Sequence, residues 1–206
     1  RSARAAPPPT LGPRPAPVAG LAPSPGRVAV HLPPPSERLT FESMAPRHRA
    51  DMLRVYGDLD AMRWVGDGTA ITEEECERWF DVTAENLRRR GYAMMALRSR
   101  ATGVVLGFAG LVHPGGQDEP ELKYALERGS WGVGLATEAG AALLSWGQGH
   151  LGMGRIQATV AEPHAASRRV LEKLGMVVEG REAEDDGSVT LVYATPASPE
   201  GPGAGG

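Results

Sequence analysis

The chain has 206 residues, 41% of them hydrophobic, and a formal net charge of −3, which is enough to bury one core and argues against a nucleic-acid or anionic-membrane surface. A single cysteine, Cys76, excludes an intrachain disulfide and a cysteine-based metal cluster, and no His/Cys/Asp/Glu set has zinc-site spacing, so no metal is expected. The most apolar stretch, residues 133–146, is interrupted by Glu138 and glycines and falls short of the roughly 18 to 20 residues of a membrane span; the expectation is a cytoplasmic domain, monomer or homodimer, acting on a small molecule or peptide.

Residues 1–36 hold eleven of the 18 prolines and four arginines (Arg1, Arg4, Arg14, Arg27) with no acidic residue. Proline runs resist both helix and sheet, and would also break the amphipathic helix of a targeting peptide. A disordered tail is expected there, a second one over the Gly/Pro-rich residues 196–206, and a single domain over residues 37–195. Within that domain residues 38–44 read as a short strand and residues 46–58 as a helix with proline in its first turn. Thr72-Glu73-Glu74-Glu75 is a capping-box sequence that opens a longer helix, which Gly91 ends behind the basic cluster Arg88-Arg89-Arg90. Residues 92–97 and 104–112 read as strands joined by a turn at residues 99–103, and residues 121–126 as a third strand after a Pro/Gly-rich loop.

The next segment is the informative one. Strand Glu121-Leu122-Lys123-Tyr124-Ala125-Leu126 is followed by Trp131-Gly132-Val133-Gly134-Leu135-Ala136-Thr137-Glu138-Ala139, which opens a helix to about Trp146. The first N–H groups of a helix have no intrahelical partner and stand at its positive end, so a glycine turn leading into a helix can hold a pyrophosphate by backbone amides alone. The Lys-Ser/Thr pair of a P-loop is absent, and a dinucleotide fingerprint would need Gly or Ala where Thr137 stands. Taken alone, these glycines could equally serve to end a strand. Beyond them residues 155–160 read as a strand, residues 163–174 as a helix stopped by Gly175, and residues 176–181 and 189–194 as a closing hairpin.

The order strand, two helices, three strands, helix, strand, helix, two strands resembles the GNAT fold, an α/β architecture with a mostly antiparallel sheet of about seven strands and four flanking helices. From residue 37 to residue 194 the sequence resembles the ribosomal-protein N-terminal acetyltransferase branch of that superfamily. The likeness is carried by Glu37-Arg38-Leu39-Thr40, by Tyr124-Ala125-Leu126 with the tryptophan-led loop, by Leu151-Gly152-Met153-Gly154-Arg155-Ile156 and by Ser167-Arg168-Arg169-Val170-Leu171-Glu172-Lys173-Leu174-Gly175-Met176.

The resemblance implies transfer of an acetyl group from acetyl-CoA to an amine by direct attack. Tyr124, Ala125 and Leu126 would flank the pantetheine arm, and Trp131, Gly132, Val133, Gly134, Leu135, Ala136 and Thr137 would form the pyrophosphate loop. His164 stands where the branch usually has an asparagine that contacts pantetheine, and histidine changes both the donor geometry and the charge near neutral pH. Glu121 is the first candidate base, at the start of the strand beside the thioester, and His113 the second, for an ordinary pKa of about 6.5. Ser167 matches the serine expected to protonate the leaving thiolate. The acceptor is expected to be a protein or peptide N-terminal amine; a small amine and a non-catalytic acyl-CoA-binding role are the alternatives.

Overall fold

The computed structural model describes residues 29–64 and 68–196. Of the expected tails, 1–36 and 196–206, residues 1–28 and 197–206 lie outside the described residues. The elements are β1 (Leu39–Ser43), α1 (Arg49–Tyr56), α2 (Leu59–Met62), α3 (Glu73–Arg90), β2 (Met94–Ser99), β3 (Val105–Val112), β4 (Glu121–Leu126), α4 (Leu135–Gly149), β5 (Gln157–Ala161), α5 (Ala165–Lys173), β6 (Val177–Ala183) and β7 (Val189–Ala194). The strands form one seven-stranded sheet ordered β1-β2-β3-β4-β5-β7-β6, antiparallel throughout except between β4 and β5.

Local chemistry accounts for the helix ends. Thr72 Oγ1 accepts from the Glu75 N–H at 3.2 Å and Glu75 returns a carboxylate to the Thr72 N–H at 2.8 Å, so two orphan donors at the start of α3 are satisfied. Gly91 takes the left-handed conformation (φ 79°) and bonds back to Leu87, closing the other end. The four expected helices are joined by a fifth, α2, which is a single turn. Asp58 caps it by accepting from the N–H groups of Asp60 (2.9 Å) and Ala61 (3.3 Å). A four-residue helix has no apolar period to read.

Two apolar layers enclose the sheet. α4 and α5 cover one face, where Leu122 and Leu126 of β4 join Leu111, Leu135, Ala139, Leu143, Ile156 and Leu171. α1 and α3 cover the other, where Met52, Val55, Cys76 and Phe80 meet Ala96, Val105 and Phe108. Each fully buried leucine contributes about 1.5–3 kcal/mol. Alternation along β4 therefore sends even-numbered side chains towards α4 and α5, and Glu121, Lys123 and Ala125 towards α1 and α3. Gly147 lets α4 lie close against the sheet, since a Cβ there would stand 2.6 Å from Leu111 Cδ1 and 2.9 Å from Ile156 Cδ1.

The domain boundary expected at residue 36 falls inside a segment that packs on the body. The His31 N–H donates to the Gly91 carbonyl at 2.8 Å, Pro33 is buried, and Ser36 Oγ donates to Glu138 at 2.6 Å. Proline content forbids regular structure here without forbidding docking. A chain starting at Glu37 is expected to melt several degrees below one starting at Ala29. The lost hydrogen bonds and apolar cover amount to about 1–2 kcal/mol, and at this size each kcal/mol moves Tm by about 2–4 °C. Equal melting curves for the two would show that the docked segment adds nothing.

Candidate active site

The centre of the sheet is where its one parallel pair comes apart. β4 and β5 share a single register position, Glu121 opposite Gln157, with the Gln157 N–H donating to the Pro120 carbonyl at 2.9 Å. Beyond that rung the strands diverge. The Glu127 N–H donates to the Leu106 carbonyl at 2.9 Å, and counting back along the register puts Ala125, Lys123 and Glu121 at the hydrogen-bonded positions against β3. The N–H groups of Tyr124 and Leu126 therefore point to the β5 side, into the wedge between the strands.

The wedge leads to the loop before α4. Residues 131–134 are exposed, and Gly132 (φ 75°) and Gly134 (φ 85°) both take the left-handed conformation that side chains rarely adopt. Trp131 Nε1 donates to the Leu126 carbonyl at 2.7 Å and ties the loop to the end of β4. The Glu138 N–H is bonded to Gly134, the first helical bond of α4, so the N–H groups of Leu135, Ala136 and Thr137 stand free of intrahelical partners at the positive helix end. No Cβ added at Gly132 would meet another atom within 4 Å. An open, amide-lined turn at a helix start fits a pyrophosphate.

Ser167 approaches the Tyr124 side chain from α5. Its Oγ lies 2.7 Å from the Tyr124 hydroxyl, which also reaches the Ser167 carbonyl at 3.4 Å. Burial pushes the Tyr124 phenol up to about 12 despite the serine bond, so it keeps its proton at neutral pH. The sequence places Tyr124 only beside the cofactor, whereas its side chain and Ser167 form a hydroxyl pair. Nothing in the sequence pairs two residues so far apart.

Glu121 is buried, 3% exposed, on the α1/α3 face. Its Oε1 accepts from the Thr159 N–H at 3.0 Å, from Thr159 Oγ1 and from Lys123 Nζ, which in turn lies 2.8 Å from Thr159 Oγ1. A carboxylate buried with a cation and two donors is a compensated charge. Neither Lys123 nor Thr159 carried a sequence signal.

His113 stands apart from these groups. Register puts Val112 opposite Glu121, so the next residue turns to the other face, where His113 packs against Tyr92. Its Nε2 is 2.8 Å from the Tyr92 hydroxyl and its Nδ1 3.0 Å from the Gln117 carbonyl oxygen. Both ring nitrogens are taken, and burial lowers its pKa. The expectation that His113 serves as an alternative base is not supported by this placement.

His164 precedes α5 and caps it with no side-chain bond. Its ring stacks on Trp64 at 5.6 Å with an interplanar angle of 18°. Burial lowers its pKa from the ordinary 6.5, so the ring is neutral at pH 7 and above. Trp64 follows α2, and α2 is fastened to the end of β4 by Arg128, whose Nε and Nη2 donate to Asp58 at 3.0 and 2.8 Å. Those bonds hold the Asp58 carboxyl down at about 2. The Trp64–His164 stack thus links the α2 segment to the start of α5.

Comparison with known proteins bears on the family and the fold. A family model described as "Acetyltransferase (GNAT) domain" matches residues 38–177. An acetyltransferase from Agrobacterium tumefaciens superposes with a TM-score of 0.65 at 26% identity, covering 82% of this chain and 98% of its own. RimL, a ribosomal L7/L12 alpha-N-protein acetyltransferase solved with coenzyme A, superposes with a TM-score of 0.66 at 17% identity over 80% of this chain and 97% of its own. A spermidine N-acetyltransferase chimera of the Vibrio cholerae and hSSAT enzymes gives 0.62 at 14% identity, covering 77% and 95%. The last two likenesses are of fold alone.

Proposed function

The chain belongs to the GNAT acetyltransferase family and is an acetyl-CoA-dependent N-acetyltransferase; on that premise we propose that it acetylates the N-terminal amine of a protein or peptide. The observation that supports the cofactor half is the alignment of two features: the wedge that opens after the Glu121–Gln157 rung, and the amide-lined loop from Trp131 to Thr137 at its end. The acceptor rests on the branch-like sequence phrases around residues 37–40, 124–139 and 167–176.

In this reading the backbone N–H groups of residues 132–137 hold the pyrophosphate, with no cationic side chain of the loop involved. Acetyl-CoA supplies an activated acyl thioester. The N–H groups of Tyr124 and Leu126, which face the wedge, orient the thioester and stabilise charge on its carbonyl oxygen. Glu121 draws a proton from the incoming amine through water, its carboxylate kept in place by Thr159 and Lys123. Ser167 gives a proton to the departing thiolate, and the Tyr124 phenol, protonated at neutral pH, stands behind it to replace that proton. His164, stacked on Trp64 at the start of α5, stands where it would meet the pantetheine arm.

Thermal melting with acetyl-CoA, followed by release of free thiol on a panel of N-terminal peptides and small amines, tests this. A ligand that binds the folded state alone stabilises it by RT ln(1 + [L]/Kd), about 2.7 kcal/mol at a hundredfold excess over Kd. A melting shift with thiol released on peptides is the expected result. Thiol release on polyamines or amino sugars alone would replace the acceptor, and a shift with no thiol on any amine would mark a binding domain.

A further inference from the structure

Ser36 and Arg38 lie about a hundred residues before α4, yet both grip its first turn. Ser36 Oγ donates to Glu138 Oε1 at 2.6 Å, the Arg38 N–H donates to the same oxygen at 2.7 Å, and Arg38 Nε donates to Oε2 at 2.6 Å. The guanidinium then reaches over the loop. Its Nη1 donates to the Val133 carbonyl at 2.9 Å, and its Nη2 lies 3.7 Å from the place of a Cβ on Gly134. The Glu138 side chain is 14% exposed and that of Arg38 is 45% exposed, so the carboxylate is the inner partner and the cation faces out over the glycines.

Burial pushes the Glu138 carboxyl up, but hydrogen bonds from Ser36 and Arg38 outweigh it and hold the pKa below the ordinary value. A full negative charge therefore stands in the first turn of α4 at neutral pH. The helix dipole favours a carboxylate there, but the same dipole would draw a pyrophosphate, and two anions at one helix end repel each other. A cation on the outer side of the carboxylate resolves that conflict. The bond to Val133 has a separate effect: it occupies a loop carbonyl that would otherwise be free to turn towards the ligand.

We propose that Arg38 is a positioning residue for the cofactor loop, cancelling the charge of Glu138 and fixing the Val133 carbonyl so that the N–H groups of residues 132–137 face an incoming pyrophosphate. The proposal rests on the cofactor reading given above. It differs from a plain surface ion pair, which would contribute little and to stability alone. The segment leading into β1 thereby becomes part of the cofactor half of the enzyme, although β1 lies at the sheet edge.

Calorimetric titration with coenzyme A tests this directly, on wild type, Arg38→Ala, Arg38→Lys, Glu138→Gln and the double variant Arg38→Ala/Glu138→Gln. Arg38→Ala strands the carboxylate and is expected to weaken binding at least tenfold, with a deficit that shrinks as salt rises. The double variant recovers most of that loss, because a neutral amide does not repel phosphate, and Arg38→Lys falls between. Glu138→Gln alone binds coenzyme A two- to threefold more tightly, which keeps the test decisive should Arg38→Ala fail to fold. Binding by Arg38→Ala within twofold of wild type, a double variant no better than the single one, or weaker binding by Glu138→Gln would each overturn the proposal. Gly134→Val, titrated alongside, separates the two levels. If it weakens binding while Arg38→Ala does not, the loop stands and Arg38 is an ordinary ion pair; if neither matters, the cofactor site itself is elsewhere.

Discussion

Gly134→Val is expected to weaken acetyl-CoA binding at least tenfold, about 1.4 kcal/mol or more, while the protein stays folded. The expectation rests on backbone geometry. Gly134 has φ 85°, a conformation that a β-branched residue adopts only under strain, and it sits on the exposed turn through which the pyrophosphate would approach α4. The nearest neighbour of an added Cβ is Arg38 Nη2 at 3.7 Å, an ordinary contact. Crowding by the protein is therefore not the cause; the loss comes from turning the loop amides out of line and from bulk where the ligand must come close. Thr137→Ala, which removes a side chain and leaves every amide in place, is expected to change affinity by less than about 0.5 kcal/mol. Calorimetry on the two variants, with a melting curve for each, decides between a backbone cradle and side-chain recognition. Equal affinities in Gly134→Val and wild type would move the cofactor elsewhere.

Ser167→Ala is expected to lower turnover by about a hundredfold, the lower range for a general acid, and to leave acetyl-CoA affinity nearly unchanged. The interaction it removes is made mainly as the thiolate departs, so the loss belongs to kcat rather than to binding. The Tyr124 hydroxyl, 2.7 Å from Ser167 Oγ, sets the companion variant. Tyr124→Phe leaves the serine able to deliver its proton once and slows its replacement, so a smaller fall is expected. Thiol release in single-turnover and steady-state experiments separates the two. Should Tyr124→Phe abolish turnover while Ser167→Ala retains it, the phenol is the direct donor and the serine its support.

The parts legible in the sequence share a physical cause. β4 and β7 were readable to the residue because turn residues bound runs of strand-forming side chains, and α3 because a capping box and a glycine mark its ends. β2 begins two residues later than its apolar run, since Tyr92 and Ala93 serve to leave the Gly91 turn rather than to pair with β1. The glycine loop was legible because backbone amides need only the right local sequence. What stayed hidden depends on contacts across the fold: the Tyr124–Ser167 pair, the Thr159 and Lys123 bonds to Glu121, the Trp64–His164 stack and the hold of Ser36 and Arg38 on Glu138. His113 shows the converse. Its residue type suggested a base, and only the alternation of β3 reveals that it turns away.

The single rung between β4 and β5 also bears on how the two halves of the sheet keep their alignment. Six paired positions lock β3 to β4 and five lock β5 to β7, so a slip within either half would break a whole ladder. Across the seam only one backbone position opposes another, and the next tie is a side chain: Glu121 reaches two residues along β5 to the N–H and hydroxyl of Thr159. The carboxylate named as the base is thus also the peg that holds the halves in register where main-chain pairing has ended. An inactive Glu121→Ala protein would not by itself identify a base, because the same change releases the seam on which the thioester must be aligned. Glu121→Gln, which can still accept from Thr159, is the substitution that parts the peg from the proton acceptor.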